Sequence, residues 1–172
     1  MSNEDVNDAI GIINRYALAV DTLRWDLFDD VFTHDVEADF GGGAHWHDLA
    51  SLKRDFDIIH SPFDATQHTI TNHQVAVNGD RAHALSYVHG RFIRKLPEGG
   101  NMFESSGWYD DRLVRTAAGW RIKDRVCRMI WWGGNPRVLE TMPGVTVEPS
   151  LTALRAEAAA GRIRFLDATA RR

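Results

Sequence analysis

The chain is poor in cysteine: of its 172 residues, only Cys127 carries a thiol. An intramolecular disulfide and a cysteine-based zinc site are therefore excluded, and a reducing compartment, the cytoplasm, is expected. Long apolar runs are also missing. No stretch approaches the ~20 apolar residues of a membrane helix. The segment Met1 to Ala9 is polar and acidic, so it does not read as a secretory or transit leader. No membrane partner is expected. Nor is there an excess of positive charge, the net charge being −4. A nucleic-acid surface needs a concentrated basic face, and the Arg-rich stretches at 121–128 and 162–172 do not amount to one. Internal repeats and low-complexity tracts are absent.

What is there is globular: 44% of residues are hydrophobic and 26% charged, enough for one domain with a real core. Val6, Ile10, Ile13, Ala17 and Val20 recur at helical spacing, with Asn3 or Asp5 as the cap. A second short helix is predicted over Trp25 to Phe32 and a third over Leu49 to His60. A strand is predicted from Asp35 to Phe40, ended by Gly41-Gly42-Gly43. After Pro62 the pattern becomes a meander: Thr66 to Val77, a turn at Asn78-Gly79-Asp80, Arg81 to Leu96, Glu104 to Arg115, and Trp120 to Trp132. Helices placed before an antiparallel sheet indicate α+β. Such a sheet, strongly curved and closed by the helices, makes a cone-shaped barrel with an internal pocket. Residues 1–134 are read as this domain and 135–172 as an extension. The extension carries a helix from Ser150 to Ala160. Pro143, Val145, Val147, Leu151, Leu154, Ile163 and Leu166 are its apolar anchors to the domain or a neighbouring subunit.

Several segments taken in order resemble the SnoaL-like branch of the NTF2-like superfamily, the branch of scytalone dehydratase and hexachlorocyclohexane dehydrochlorinase. They are Tyr16 to Asp21, Trp25-Asp26, Phe32 to Asp35, Thr66 to Ile70, the Asn78 to Ala82 turn, Gly107 to Arg115, and Gly119 to Ile122. The resemblance covers roughly residues 5–132 and implies the cone fold with its cavity. It also implies site residues. Asp21 matches the first-helix aspartate that pairs with a histidine in both enzymes, and His68 matches that histidine. His89 matches a second catalytic histidine of scytalone dehydratase, and Arg115 an active-site arginine of the dehydrochlorinase. Two tyrosines that hold the substrate in scytalone dehydratase fall here on Val20 and Phe40, so scytalone is not the expected substrate. A homo-oligomer, dimer or trimer, is a further implication.

Physical chemistry bears on the same residues. Asp21 sits beside Val20, near the apolar face of the first helix, where a carboxylate must be paired. An aspartate that accepts from one nitrogen of His68 leaves the other as a base. Alternation puts His68, Ile70 and Asn72 on one strand face, and His89 with Tyr87 and Arg91 on one face of the next. Arg115 stabilises an oxyanion if inside, and pairs with Asp110 or Asp111 if outside. Tyr16, Phe40 and Trp131 are read as walls of a pocket for a small, aromatic molecule. His45-Trp46-His47 puts two imidazoles on one strand face, but nothing in the sequence supplies a third ligand. These residues, with His34, His60, His73 and His83, read as polar groups around the cavity mouth. No metal and no cofactor is expected.

The function expected is a cofactor-independent lyase of the dehydratase or elimination type, acting by His/Asp acid–base catalysis on a small aromatic or polyketide-like molecule. An isomerase, cyclase or hydrolase would use the same groups. A non-catalytic binding or scaffold subunit, like the small subunits of ring-hydroxylating oxygenases, is the alternative from another class.

Overall fold

The computed structural model describes residues 3–142, 144 and 146–170. Pro143 and Val145, two of the expected tail anchors, lie outside the described residues. Helix α1 (Asn3–Asp21) buries Ala9, Ile13, Tyr16, Ala19 and Val20. The buried stripe is thus rotated from the expected one, and Ile10 and Ala17 are only half-buried. Tyr16 holds a core position through ring packing on Phe28, Phe32 and Tyr109. A 3-10 turn at Trp25–Leu27 and a short helix α2 (Phe28–Val31) replace the single helix expected there. Strand β1 (Phe32–Asp39) and the short β2 (His45–Trp46) form a hairpin around the glycine run. Helix α3 (Leu49–His60) starts at Asp48, whose carboxylate accepts the Ser51 N–H at 2.8 Å.

Four long strands follow: β3 (Ala65–Asn78), β4 (Arg81–Ile93), β5 (Met102–Thr116) and β6 (Gly119–Gly134). The six-stranded sheet has the order β2-β1-β6-β5-β4-β3. Among the six strands of the described residues, only β1 and β6 pair in parallel. This is the curved, mixed α+β sheet of the expected cone, but it is open, with edges at β2 and β3, not closed into a barrel. Its core joins α1, α2 and α3 to the inner face through Tyr16, Phe28, Phe32, Leu52, Phe56 and Tyr109.

Register shifts bend these strands. In β3 the shift lies between Thr71 and Gln74, and Asn72 has φ +53°. Asn72 is therefore exposed, not beside His68, and His73 turns inward to bond the Ser86 hydroxyl at 2.8 Å. In β6, Lys123 and Ile130 fall in two more shifts. At the second, Gly107 of β5 packs so closely that a β-carbon would meet the Arg128 carbonyl oxygen at 1.8 Å, so only glycine fits.

The tail lies on the same chain. After a 3-10 turn at Pro136–Leu139, Leu151 bridges Met129, and the Thr152 N–H donates to the Met129 carbonyl at 2.8 Å. The helix expected over 150–160 shrinks to α4 (Leu154–Ala159), and Ala153, not Ser150, precedes it. A further helix, α5 (Arg164–Thr169), docks through its first N–H groups: Arg164 and Phe165 donate to the Asp110 carboxylate at 2.7 and 3.3 Å. The Ile163 side chain is buried, whereas those of Leu151 and Leu166 are about half exposed. No helix among the described residues is long and apolar enough to cross a membrane.

Candidate active site

The cone holds a cavity of about 770 Å³. Tyr16, Phe40, Phe56, Phe92 and Tyr109 form much of its wall, and the tail segment around Val147 to Ser150 lies at one side. A space of this size suits a small organic ligand. The Asp21 carboxylate is engaged from three directions. His68 Nδ1 lies 2.7 Å from Oδ1, the Thr66 hydroxyl donates to Oδ1 at 2.9 Å, and the His68 backbone N–H donates to Oδ2 at 2.7 Å. Burial alone would raise the Asp21 pKa. The bonds from the His68 ring and backbone, with Thr66, outweigh it and hold the carboxyl below its ordinary value. An ionised Asp21 requires a proton on Nδ1, so in the neutral imidazole the Nε2 lone pair is free. That nitrogen lies 3.4 Å from where a β-carbon on Gly90 would stand, and both residues line the cavity. Having no side chain, Gly90 therefore leaves Nε2 uncovered on this side.

A second histidine in the wall is His60, not His89. Its Nδ1 donates to the Phe56 carbonyl at 2.9 Å, and its ring stacks on Phe56 with centroids 4.9 Å apart. Burial pushes its pKa down to about 4, so it is neutral and offers Nε2 as an acceptor. Two phenols also line the cavity, and the Tyr16 ring meets His68 edge-on with centroids 6.4 Å apart. Tyr16 and Tyr109 are buried with ring centroids 5.7 Å apart. Burial pushes both hydroxyls well above their ordinary pKa, so they are donors, not bases. Beneath them the Arg125 guanidinium lies 4.4 Å from the Tyr16 ring centre and 4.0 Å from that of Tyr109. Arg125 forms a two-pronged ion pair with Asp111, at 2.8 and 2.7 Å, in which both side chains are inaccessible to water. Cys127 also faces the cavity, but burial pushes its thiol up to about 12, which removes it as a nucleophile.

Of the expected site residues, Asp21, His68, Tyr16 and Phe40 come together, and three do not. His89 lies on the outer face of β4, because its neighbours Val88 and Gly90 take the inner one. It contacts Glu104 at 3.1 Å and packs near Trp131. Trp131 is outside and 43% exposed, because the shift at Ile130 turns it away from the cavity. Arg115 ties the ends of three elements together: it bonds Asp5 of α1 and Asp80 of the β3–β4 turn and lies over Trp120 of β6. Asp5 is thus an ion-pair partner within the first turn of α1, not a cap.

Tyr109, Arg125 and Asp111 were missed. The signal for Tyr109 and Asp111 was alternation, which places them together opposite Trp108 and Asp110. Arg125 was hidden, because only the shift at Lys123 brings it to the inner face. The reading of His45 and His47 also needs correction. A third group does join them: Glu37 of β1 approaches both, at 3.3 and 2.7 Å, on the outer surface of the hairpin.

Comparison with known proteins agrees with this architecture. The family model of the SnoaL-like domain matches residues 3–126. An uncharacterized protein of Mycobacterium tuberculosis is 32% identical over 113 residues, covering 64% of this chain and 76% of its own. A protein of Kribbella flavida superposes with a TM-score of 0.76 at 26% identity, covering 80% of this chain and 97% of that one. A type 2 hexachlorocyclohexane dehydrochlorinase superposes with a TM-score of 0.68 at 17% identity, covering 86% and 98%, which is a likeness of fold. The chain, with its open conical sheet and the cavity that the sheet lines, belongs to the SnoaL-like domain family.

Proposed function

We propose that the chain is a lyase of the elimination type that uses His68 as its base. The observation that carries this reading is the Asp21–His68 pair, with Nδ1 committed to the carboxylate and Nε2 beside the space left by Gly90. Nε2 takes a proton from a carbon next to a carbonyl or similar group. The C–H electron pair becomes a C=C bond, and the leaving group departs with its own pair. Asp21 stabilises the imidazolium formed and holds the ring in place.

Tyr16 and Tyr109 take the part expected of His89 and Arg115. Their neutral hydroxyls, above the buried Arg125 cation, donate to oxygen on the substrate where negative charge develops. His60, held neutral, accepts from a substrate hydroxyl. The apolar and aromatic wall favours a small aromatic or polyketide-like molecule and keeps water from the reacting centre. Every step is carried by side chains of this chain.

The test is differential depletion. A small-molecule extract is incubated with the wild-type protein or with His68→Gln and compared by mass spectrometry. The expected result is one compound consumed by the wild type alone, with a product lighter by water or another small leaving group. Equal depletion by both proteins would refute the assignment.

A further inference from the structure

We propose that Glu37, His45 and His47 form a binding site for a single divalent transition-metal ion of the zinc type, outside the cavity. The β1–β2 register pairs Ala38 with Trp46 and Asp39 with His45, which sets His47 opposite Glu37. Trp46 is turned inward, where it packs on Phe40 and Phe56 and donates to Asp55 at 2.9 Å. This anchor forces both flanking imidazoles to the outer surface. There they converge, with ring centroids 4.3 Å apart. Glu37 Oε2 lies 3.3 Å from His45 Nε2 and 2.7 Å from His47 Nδ1. One ligand atom from each residue falls within 4.8 Å of the other two.

Ligands at ~2.0–2.2 Å from a tetrahedral ion are themselves ~3.3 Å apart, so the His45–Glu37 separation already fits. The shorter His47 contact opens by about half an ångström as its hydrogen bond gives way to the ion. Two imidazoles and one carboxylate select zinc and its first-row neighbours over magnesium and calcium, which prefer oxygen throughout. Each side chain is more than 40% exposed, so an ion reaches the site and water completes its coordination. Asp39, opposite His45, adds negative charge nearby, though its carboxylate is held by Arg128 at 2.7 Å.

Such an ion would pin the hairpin whose loop, Gly41 to Ala44, lines the cavity. That loop is closed by bonds from the Phe40 N–H to Ala44 and from the Ala44 N–H to Gly41, each 2.9 Å, and three of its residues are glycines at positive φ. The test is equilibrium dialysis of the tag-free chain against zinc after treatment with a chelator, with hydrogen exchange of the hairpin amides as a second readout. Expected are one zinc per chain and slower exchange at Phe40 and Ala44. Glu37→Gln, His45→Ala and His47→Ala should each abolish stoichiometric binding, while His34→Gln keeps it. No stoichiometric zinc, or zinc retained by all three variants, would overturn the proposal.

Discussion

At the scale of single residues, acid–base chemistry and stability rest on different histidines. For His68, replacement by Gln, or Asp21→Asn, should lower turnover by roughly 10²- to 10⁴-fold with little change in melting temperature for the Gln variant. Gly90→Ala tests the space beside Nε2. Its backbone is not in the left-handed region, but the added carbon would lie 3.0 Å from the Phe92 ring and 3.4 Å from His68 Nε2. A loss of kcat/KM of about 10- to 100-fold with the fold retained is the expected outcome. For His60 the readout is stability against pH. The native pKa is about 4 against an ordinary 6.5, so the unfolded chain takes up the proton first. Stability is full above pH 6.5 and falls as pH drops towards 4, by about 2 kcal/mol between pH 7 and pH 5. Asp21 acts in the same direction at lower pH: its lowered carboxyl stabilises above the ordinary carboxylate range, and this is lost as pH falls through the native value. Urea unfolding at both pH values should show the difference, and His60→Phe should remove most of it.

At the scale of elements, the strands and their faces decide what the cavity contains. The helices α1 and α3 and the four long strands were legible from periodicity and turn signals, because burial repeats at 3.6 or 2 residues in them. The shifts at Asn72, Lys123 and Ile130 were not, since no side-chain pattern marks an extra residue in a strand. Those shifts account for the misplacement of Asn72 and Trp131 and for the missed Arg125. The Arg125–Asp111 pair that joins β5 to β6 is correspondingly exacting. Arg125→Met alone should destabilise by about 3–5 kcal/mol, because it strands a buried carboxylate. The double variant with Asp111→Leu should recover most of that loss, as chemical unfolding would report. If the single and double variants were equally unstable, the stranded charge would not be the cause.

For the whole molecule, the cone and the Asp21–His68 contact were legible because a carboxylate near an apolar helix face needs a partner and the family pattern supplied one. The course of the tail was less so: its apolar residues promised docking, but not the cavity wall or the Asp110 carboxylate as its seats. Truncation after Gly134 removes both contacts and uncovers apolar surface, so a lower melting temperature and aggregation should follow. The central claim is that His68, held by Asp21, moves the substrate proton inside this cavity. Once the depleted compound is identified, its turnover in D2O by wild type, His68→Gln and Asp21→Asn measures that claim most directly. Proton removal by His68 predicts deuterium exchange or elimination at the activated carbon in the wild type, slowed at least ~100-fold in both variants; wild-type rates in His68→Gln would contradict it.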